Sequence, residues 1–166
     1  MKYKLEIINV NDISKKEYDE ILNKLNKVDK GKYQKMPSDR AKHFLAGRYL
    51  LDKNLIDISK IYYLDRKPVI DSSYFSISHS DDLTTIVISD EPIGVDIERI
   101  REVDERVSSI LKTNQKDVIK EFTKREAYIK LNGLGMKNLN DDVSSYKFIT
   151  KKYNNYYITV AFKKNK

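Results

Sequence analysis

The chain has 166 residues with 40% apolar and 34% charged side chains, a globular composition sufficient for one domain or two small halves sharing a core. Lysine and arginine outnumber aspartate and glutamate by 32 to 25, a net charge of +7 that favours polyanions such as nucleic acid, phosphorylated small molecules or acidic proteins. There is no cysteine, which excludes disulfides, thiolate zinc sites and cysteine nucleophiles. No apolar run approaches a membrane span, and Met1–Glu6 has no apolar signal region, so a cytoplasmic protein is expected.

Tyr3, Leu5 and Ile7 alternate with Lys2, Lys4 and Glu6, which predicts a strand over residues 2–10. Ser14-x-x-Glu17 is a capping box, and Tyr18, Ile21, Leu22, Leu25 and Val28 follow at helical spacing. A lysine-rich turn is expected around Gly31, then a second helix from Pro37-Ser38 to about Lys53. A hairpin is predicted from Tyr74–His79 and Leu83–Ser89, turning at Ser80-Asp81-Asp82. Pro92-Ile93-Gly94 breaks the pattern and divides the chain into halves, 1–93 and 94–166.

The second half opens with a strand at Val95–Ile100. Val103, Val107, Ile110 and Leu111 predict a short helix, and a longer one spans about Gln115 to Leu131, stopped by Gly133. Strands at Tyr146–Lys152 and Tyr156–Phe162 meet at Asn154-Asn155. The fold class is α+β, antiparallel strands with helices packed on them.

Three segments carry chemistry. In Gly94-Val95-Asp96-Ile97-Glu98, Asp96 and Glu98 share one strand face, where they repel unless solvent or a cation lies between them. In the second helix of that half, Val118, Ile119, Phe122 and Ile129 form an apolar stripe, and Glu126 falls on it. Lys130 follows one turn later. A solvent-facing Glu–Lys pair is the plain alternative, but the stripe turns both inward, and buried carboxylates need a partner. Three carboxylates and a lysine suit a hard cation and a phosphate. The third segment, Phe75-Ser76-Ile77-Ser78-His79-Ser80, offers hydroxyls and one of only two histidines at a hairpin tip. There is no GxxxxGK[ST] loop, GxGxxG, HExxH or GxSxG motif.

In this order and spacing, the three segments resemble the 4′-phosphopantetheinyl transferases of the monomeric surfactin-synthetase-activator (Sfp) type, over about residues 63–136. The resemblance implies two similar α+β halves about a pseudo-twofold axis, with coenzyme A in the cleft between them. It implies that Asp96, Glu98 and Glu126 hold Mg²⁺ (Mn²⁺ being possible), that Glu126 is the base and that Lys130 neutralises the transferred phosphoryl group. Ser78 and His79 would meet coenzyme A phosphates and Lys67 the adenine. Lys27 and Lys30 would meet the 3′-phosphate. His43 stands where relatives carry an arginine, with Arg40, Lys42 and Arg48 as nearby substitutes. Phe122 replaces a tryptophan and Gln115 a glutamate, and the chain is shorter than typical relatives. The implied partners are coenzyme A and an acidic acyl or peptidyl carrier protein, with neither membrane nor nucleic acid, for a monomer.

Two other classes compete. A Mg²⁺-dependent nuclease also combines carboxylates and lysine, but its ExK pair sits at i, i+2 on a strand, whereas Glu126 and Lys130 are four apart on a helix. A basic nucleic-acid-binding module would use the 12 tyrosines and many lysines, and leaves the inward Glu126 without a purpose.

Overall fold

The computed structural model describes residues 2–164; Met1, which opens the first expected half, and Asn165 and Lys166, which close the second, lie outside the described residues. The alternation of the first residues makes β1 (Tyr3–Asn9). Ser14 then caps α1 (Lys15–Lys24): its hydroxyl accepts from the Glu17 N–H at 3.3 Å, and the Glu17 carboxylate accepts from the Ser14 N–H at 2.9 Å.

The single helix expected through Val28 is two. The chain is extended at Leu25 and Asn26, and the Asn26 side chain accepts from the Asp29 N–H to start α2 (Lys27–Tyr33), which carries Gly31 inside it rather than in a turn. The restart changes the helical phase, so Asp29 faces inward and Val28 is 58% exposed. α3 (Ser38–Lys53) follows Pro37 as expected.

Strands β2 (Tyr62–Leu64) and β3 (Lys67–Val69) form a small hairpin turning at Asp65, where φ is 53°. Three-residue strands are too short to leave a period-two signal, and no element was expected there. β4 (Tyr74–Ser80) and β5 (Leu83–Ser89) pair from Tyr74↔Ser89 to Ser80↔Leu83, turning through Asp81 and Asp82. After Pro92 come β6 (Gly94–Arg99), α4 (Glu105–Ile110), α5 (Val118–Asn132), β7 (Tyr146–Tyr153) and β8 (Tyr156–Lys163). Asn154 takes the left-handed φ of 50° that the β7–β8 turn needs.

The strands form antiparallel sheets ordered β1-β5-β4 and β6-β8-β7, besides the small hairpin, so the class is α+β. Every strand of one three-stranded sheet precedes Pro92, and every strand of the other follows it. In each the first strand is at one edge, the last in the centre and the middle one at the other edge. The two portions therefore share a strand order without a visible sequence repeat.

Alternation along the strands sorts the core into layers. Ile86 of β5 faces Leu45, Leu51 and Phe75 beneath α1 and α3, while its neighbour Val87 faces Val95, Ile97, Ile158 and Val160 of the second sheet. α5 closes the far side, with Ala127 and Leu131 against Ala161.

Candidate active site

The site begins with a glycine. A Cβ at Gly94 would lie 2.1 Å from the Ala127 carbonyl oxygen and 2.7 Å from the Leu131 nitrogen, so only glycine lets α5 rest this closely on β6. That contact brings Lys130, on α5, over Asp96, on β6.

Asp96 is 2% exposed, so the acidic strand face is covered rather than wet. Lys130 Nζ donates to Asp96 Oδ1 at 2.6 Å and to Ser78 Oγ at 2.7 Å, and Ser78 Oγ donates to Asp96 Oδ1 at 2.7 Å. Asp96 Oδ2 is buried with no hydrogen-bond partner. Glu98, half-buried, pairs with Arg101 at 3.1 Å. Glu126 is half-buried on α5, on the inward side that the apolar stripe predicts.

The three carboxylates feel one another. Burial lifts Asp96 above the ordinary aspartate range, while the Lys130 charge and the Lys130 and Ser78 hydrogen bonds pull it back. Glu98 is raised by burial and then by the Asp96 charge, with Arg101 opposing. Glu126 is raised by burial and the charges of Asp96 and Glu98, with Lys130 opposing.

Hard oxygen donors around an unpartnered buried carboxylate oxygen fit a cation such as Mg²⁺. Among the described residues, no group of three histidine, cysteine or acidic side chains is gathered closely enough to hold a metal by itself. The donor set thus suits an ion that takes one or two carboxylates and completes its shell with oxygens of a bound substrate. Lys130 meanwhile supplies the positive charge beside Asp96.

The other expected residues lie in several places. His79 stacks on His43 of α3, ring centroids 4.4 Å apart and 17° from parallel, and His43 Nδ1 is 2.7 Å from Thr84 Oγ1. Though His79 keeps an exposed edge, desolvation of its packed ring pushes its pKa down to about 4, and His43, Lys130 and Arg40 add to the effect. Desolvation also lowers His43. Lys67 Nζ donates to the Leu131 carbonyl at 2.6 Å, bracing β3 against the C-terminal end of α5. Lys27 is exposed on α2, and Lys30 Nζ donates across to the Asn23 carbonyl on α1 at 3.3 Å, a contact that does not join the carboxylate cluster.

Arg48, one of the substitutes for a 3′-phosphate contact, is spent elsewhere. It is 2% exposed, with Nε 2.7 Å from Asp29 Oδ2 and Nη2 donating to the Tyr63 hydroxyl at 3.0 Å; that hydroxyl donates to Asp29 Oδ1 at 2.7 Å. The closed network ties α2, α3 and β2 together.

A second feature was not anticipated. The open edge of β6 meets hydroxyls in place of a strand: Ser76, Ser78 and Ser80 Oγ accept from the N–H groups of Val95, Ile97 and Arg99 at 3.1, 3.3 and 3.1 Å. The signal is in the sequence, three serines at period two on β4 facing three N–H groups at period two on β6.

A cavity of about 190 Å³ lies beside the cluster, with Lys67, Pro68, Ile77, Lys130 and Leu134 on its wall. Lys67 and Pro68 also line a larger one, about 750 Å³, bounded by Tyr62, Tyr74, Asp90 and Gly133. The smaller is the one that Lys130 joins to the carboxylates. Among the described residues no helix is long and apolar enough to cross a membrane.

No family model matches the chain. It is similar to the 4′-phosphopantetheinyl transferase gsp of Aneurinibacillus migulanus, 34% identical over 115 residues, a match covering 55% of this chain and 48% of that protein. The chain spans about half the length of this relative.

Proposed function

We propose that the protein transfers the 4′-phosphopantetheine group of coenzyme A to a serine hydroxyl of an apo carrier protein and releases 3′,5′-ADP. The observation that carries this reading is the meeting of Lys130 on α5 with Asp96 on β6, where Glu98 and Glu126 feel the Asp96 charge and Asp96 Oδ2 is buried with no partner. The similarity to a phosphopantetheinyl transferase supports the same reading.

In this proposal Asp96, Glu98 and Glu126 would hold Mg²⁺ or Mn²⁺ only together with oxygens of the bound substrate, and the ion would polarise the pyrophosphate and offset charge on the leaving group. Glu126, half-buried on the inward side of α5 beside Lys130, takes the serine proton as the serine oxygen bonds to the β-phosphorus. The bond from that phosphorus to the 3′,5′-ADP oxygen breaks. Lys130 moves its charge from Asp96 toward the transferred phosphoryl group. Coenzyme A lies between the two portions, near Lys67, His79 and the cavity that Lys130 lines. An acidic carrier protein is steered by the net charge of +7, so the encounter weakens as salt rises. A monomer acting in the cytoplasm, with its portions about a pseudo-twofold axis, completes the proposal.

Intact-mass measurement of an apo carrier protein incubated with the protein, coenzyme A and Mg²⁺ tests it. A gain of one phosphopantetheinyl group, abolished by chelator, is expected. No gain on a panel of fatty-acid, polyketide and peptide-synthetase carriers overturns it, and degradation of nucleic acid under the same conditions would put the nuclease in its place.

A further inference from the structure

Ser78 is 3% exposed, and its hydroxyl has no capacity left. It donates its one proton to Asp96 Oδ1 and accepts from Lys130 Nζ and from the Ile97 N–H. A serine hydroxyl has one donor and two acceptor positions, so a ligand could bond to it only by displacing one of these partners. Through the same contacts both Ser78 and Lys130 are directed at Oδ1 of Asp96, and Oδ2 is left as the buried oxygen without a donor.

We propose that Ser78 is a positioning residue: its hydroxyl fixes the Asp96 carboxylate so that Oδ2 remains free for a divalent cation, in place of the direct phosphate contact that the family resemblance implies. The inference rests on the cation-dependent reading of the site. It follows from where the hydroxyl sits: β4 supplies the serine, β6 the carboxylate and α5 the ammonium, so a single oxygen sets the mutual position of three elements. Outer partners of this kind tune metal affinity by orienting the ligand. Ser80 is the natural comparison. Its hydroxyl makes the same kind of contact, to the Arg99 N–H at 3.1 Å, and its hydrogen bonds do not include a carboxylate.

The test is binding, not turnover. Mn²⁺ affinity is measured by electron paramagnetic resonance with coenzyme A saturating, and coenzyme A affinity by calorimetry in chelator, for wild type, Ser78→Ala, Ser78→Cys and Ser80→Ala. Ser78→Cys fills the same space with a poor hydrogen-bonding group and keeps the test alive if alanine prevents folding. The expected result is Mn²⁺ binding weakened by about tenfold or more in both Ser78 variants. Coenzyme A binding in chelator should stay within about twofold, and Ser80→Ala should change neither. Loss of coenzyme A affinity with Mn²⁺ affinity intact overturns the proposal in favour of a direct contact. Equal losses in the Ser78 and Ser80 variants overturn it in favour of a merely structural clip, and a wild type that binds no Mn²⁺ overturns it outright. Wild type that binds Mn²⁺ but modifies no carrier removes the transferase reading while the Ser78 result still decides this one.

Discussion

Lys130 Nζ lies 2.6 Å from Asp96 Oδ1 across the α5–β6 contact, with the lysine side chain 29% exposed and the aspartate 3%. An ammonium that reaches water is therefore the counter-charge for a carboxylate that does not. Removing the lysine alone strands the acid. Lys130→Met should cost about 3 kcal/mol in urea unfolding, the low end for breaking a buried pair. Adding Asp96→Asn to the same chain should recover much of that loss. Strictly additive losses in this cycle would mean the two side chains are not energetically coupled.

Glu126 stands in the opposite position, since burial and the charges of Asp96 and Glu98 all disfavour its ionised form. Glu126→Gln keeps the shape and removes the repulsion, so the melting temperature should hold or rise. Transfer should fall roughly 10²–10⁴-fold, the range for losing a positioned base. Carrier modification followed by mass against time checks this, and wild-type turnover would falsify the assignment of Glu126 as the base.

Gly94 tests the packing that makes the site. A methyl group there must displace the Ala127 carbonyl and the backbone of Leu131. Gly94→Ala should cost about 3 kcal/mol as overpacking against backbone. Because α5 carries both Glu126 and Lys130, activity per folded molecule should drop as well. A variant that is less stable but fully active when folded would show that α5 can shift without disturbing the carboxylates.

The site was legible because its chemistry is written in local spacing. Asp96 and Glu98 share a face by the period of a strand, and Glu126 and Lys130 fall inward by the period of a helix, whatever the rest of the chain does. The paired strands β4–β5 and β7–β8 were legible for the same reason, together with turn residues such as Asn154 that accept positive φ. What escaped depends on contacts distant in sequence. Arg48 and Asp29 are 19 residues apart, and a charged residue on a helix reads by default as solvated. Val28 fits the stripe of α1 equally well in a continuous helix, and only the Asn26 cap decides otherwise. Read locally, Ser78 offers its hydroxyl to a ligand, because nothing local says that β6 lies opposite the three serines.

His79 and Glu17 should each destabilise the protein as pH falls, in separable ranges, while the raised Asp96, Glu98 and Glu126 act in the opposite direction. Unfolded, the His79 imidazole takes a proton near pH 6.5, and folded only near 4. Between these values the unfolded state holds more protons, so stability is lost as pH falls from about 6.5 toward 4. Glu17 acts lower: the Ser14 backbone and hydroxyl, with Tyr49, hold its carboxyl down to about 2 from 4.5, so its contribution is lost over that range. His79→Gln should flatten the upper limb of a stability–pH curve and Glu17→Gln the lower. Each variant should leave the other limb in place; a His79→Gln curve parallel to wild type between pH 6.5 and 4 would remove the imidazole as the cause.

The Asp29–Arg48–Tyr63 network separates charge from geometry. Arg48 uses Nε on Asp29 Oδ2 and Nη2 on the Tyr63 hydroxyl, two directions fixed by a planar guanidinium. Arg48→Lys keeps the charge but offers one nitrogen in place of two set apart, so it should rescue little of the stability lost by Arg48→Met. Breaking the pair should cost about 3–5 kcal/mol, because Asp29 is fully buried and would lose its counter-charge, keeping only the Tyr63 hydroxyl as a side-chain donor. Replacing the whole set (Asp29→Leu, Arg48→Met, Tyr63→Phe) removes every stranded group, and its urea midpoint should lie well above that of Arg48→Met alone. A triple variant no more stable than the single one would show that packing at these positions, rather than an uncompensated charge, accounts for the loss.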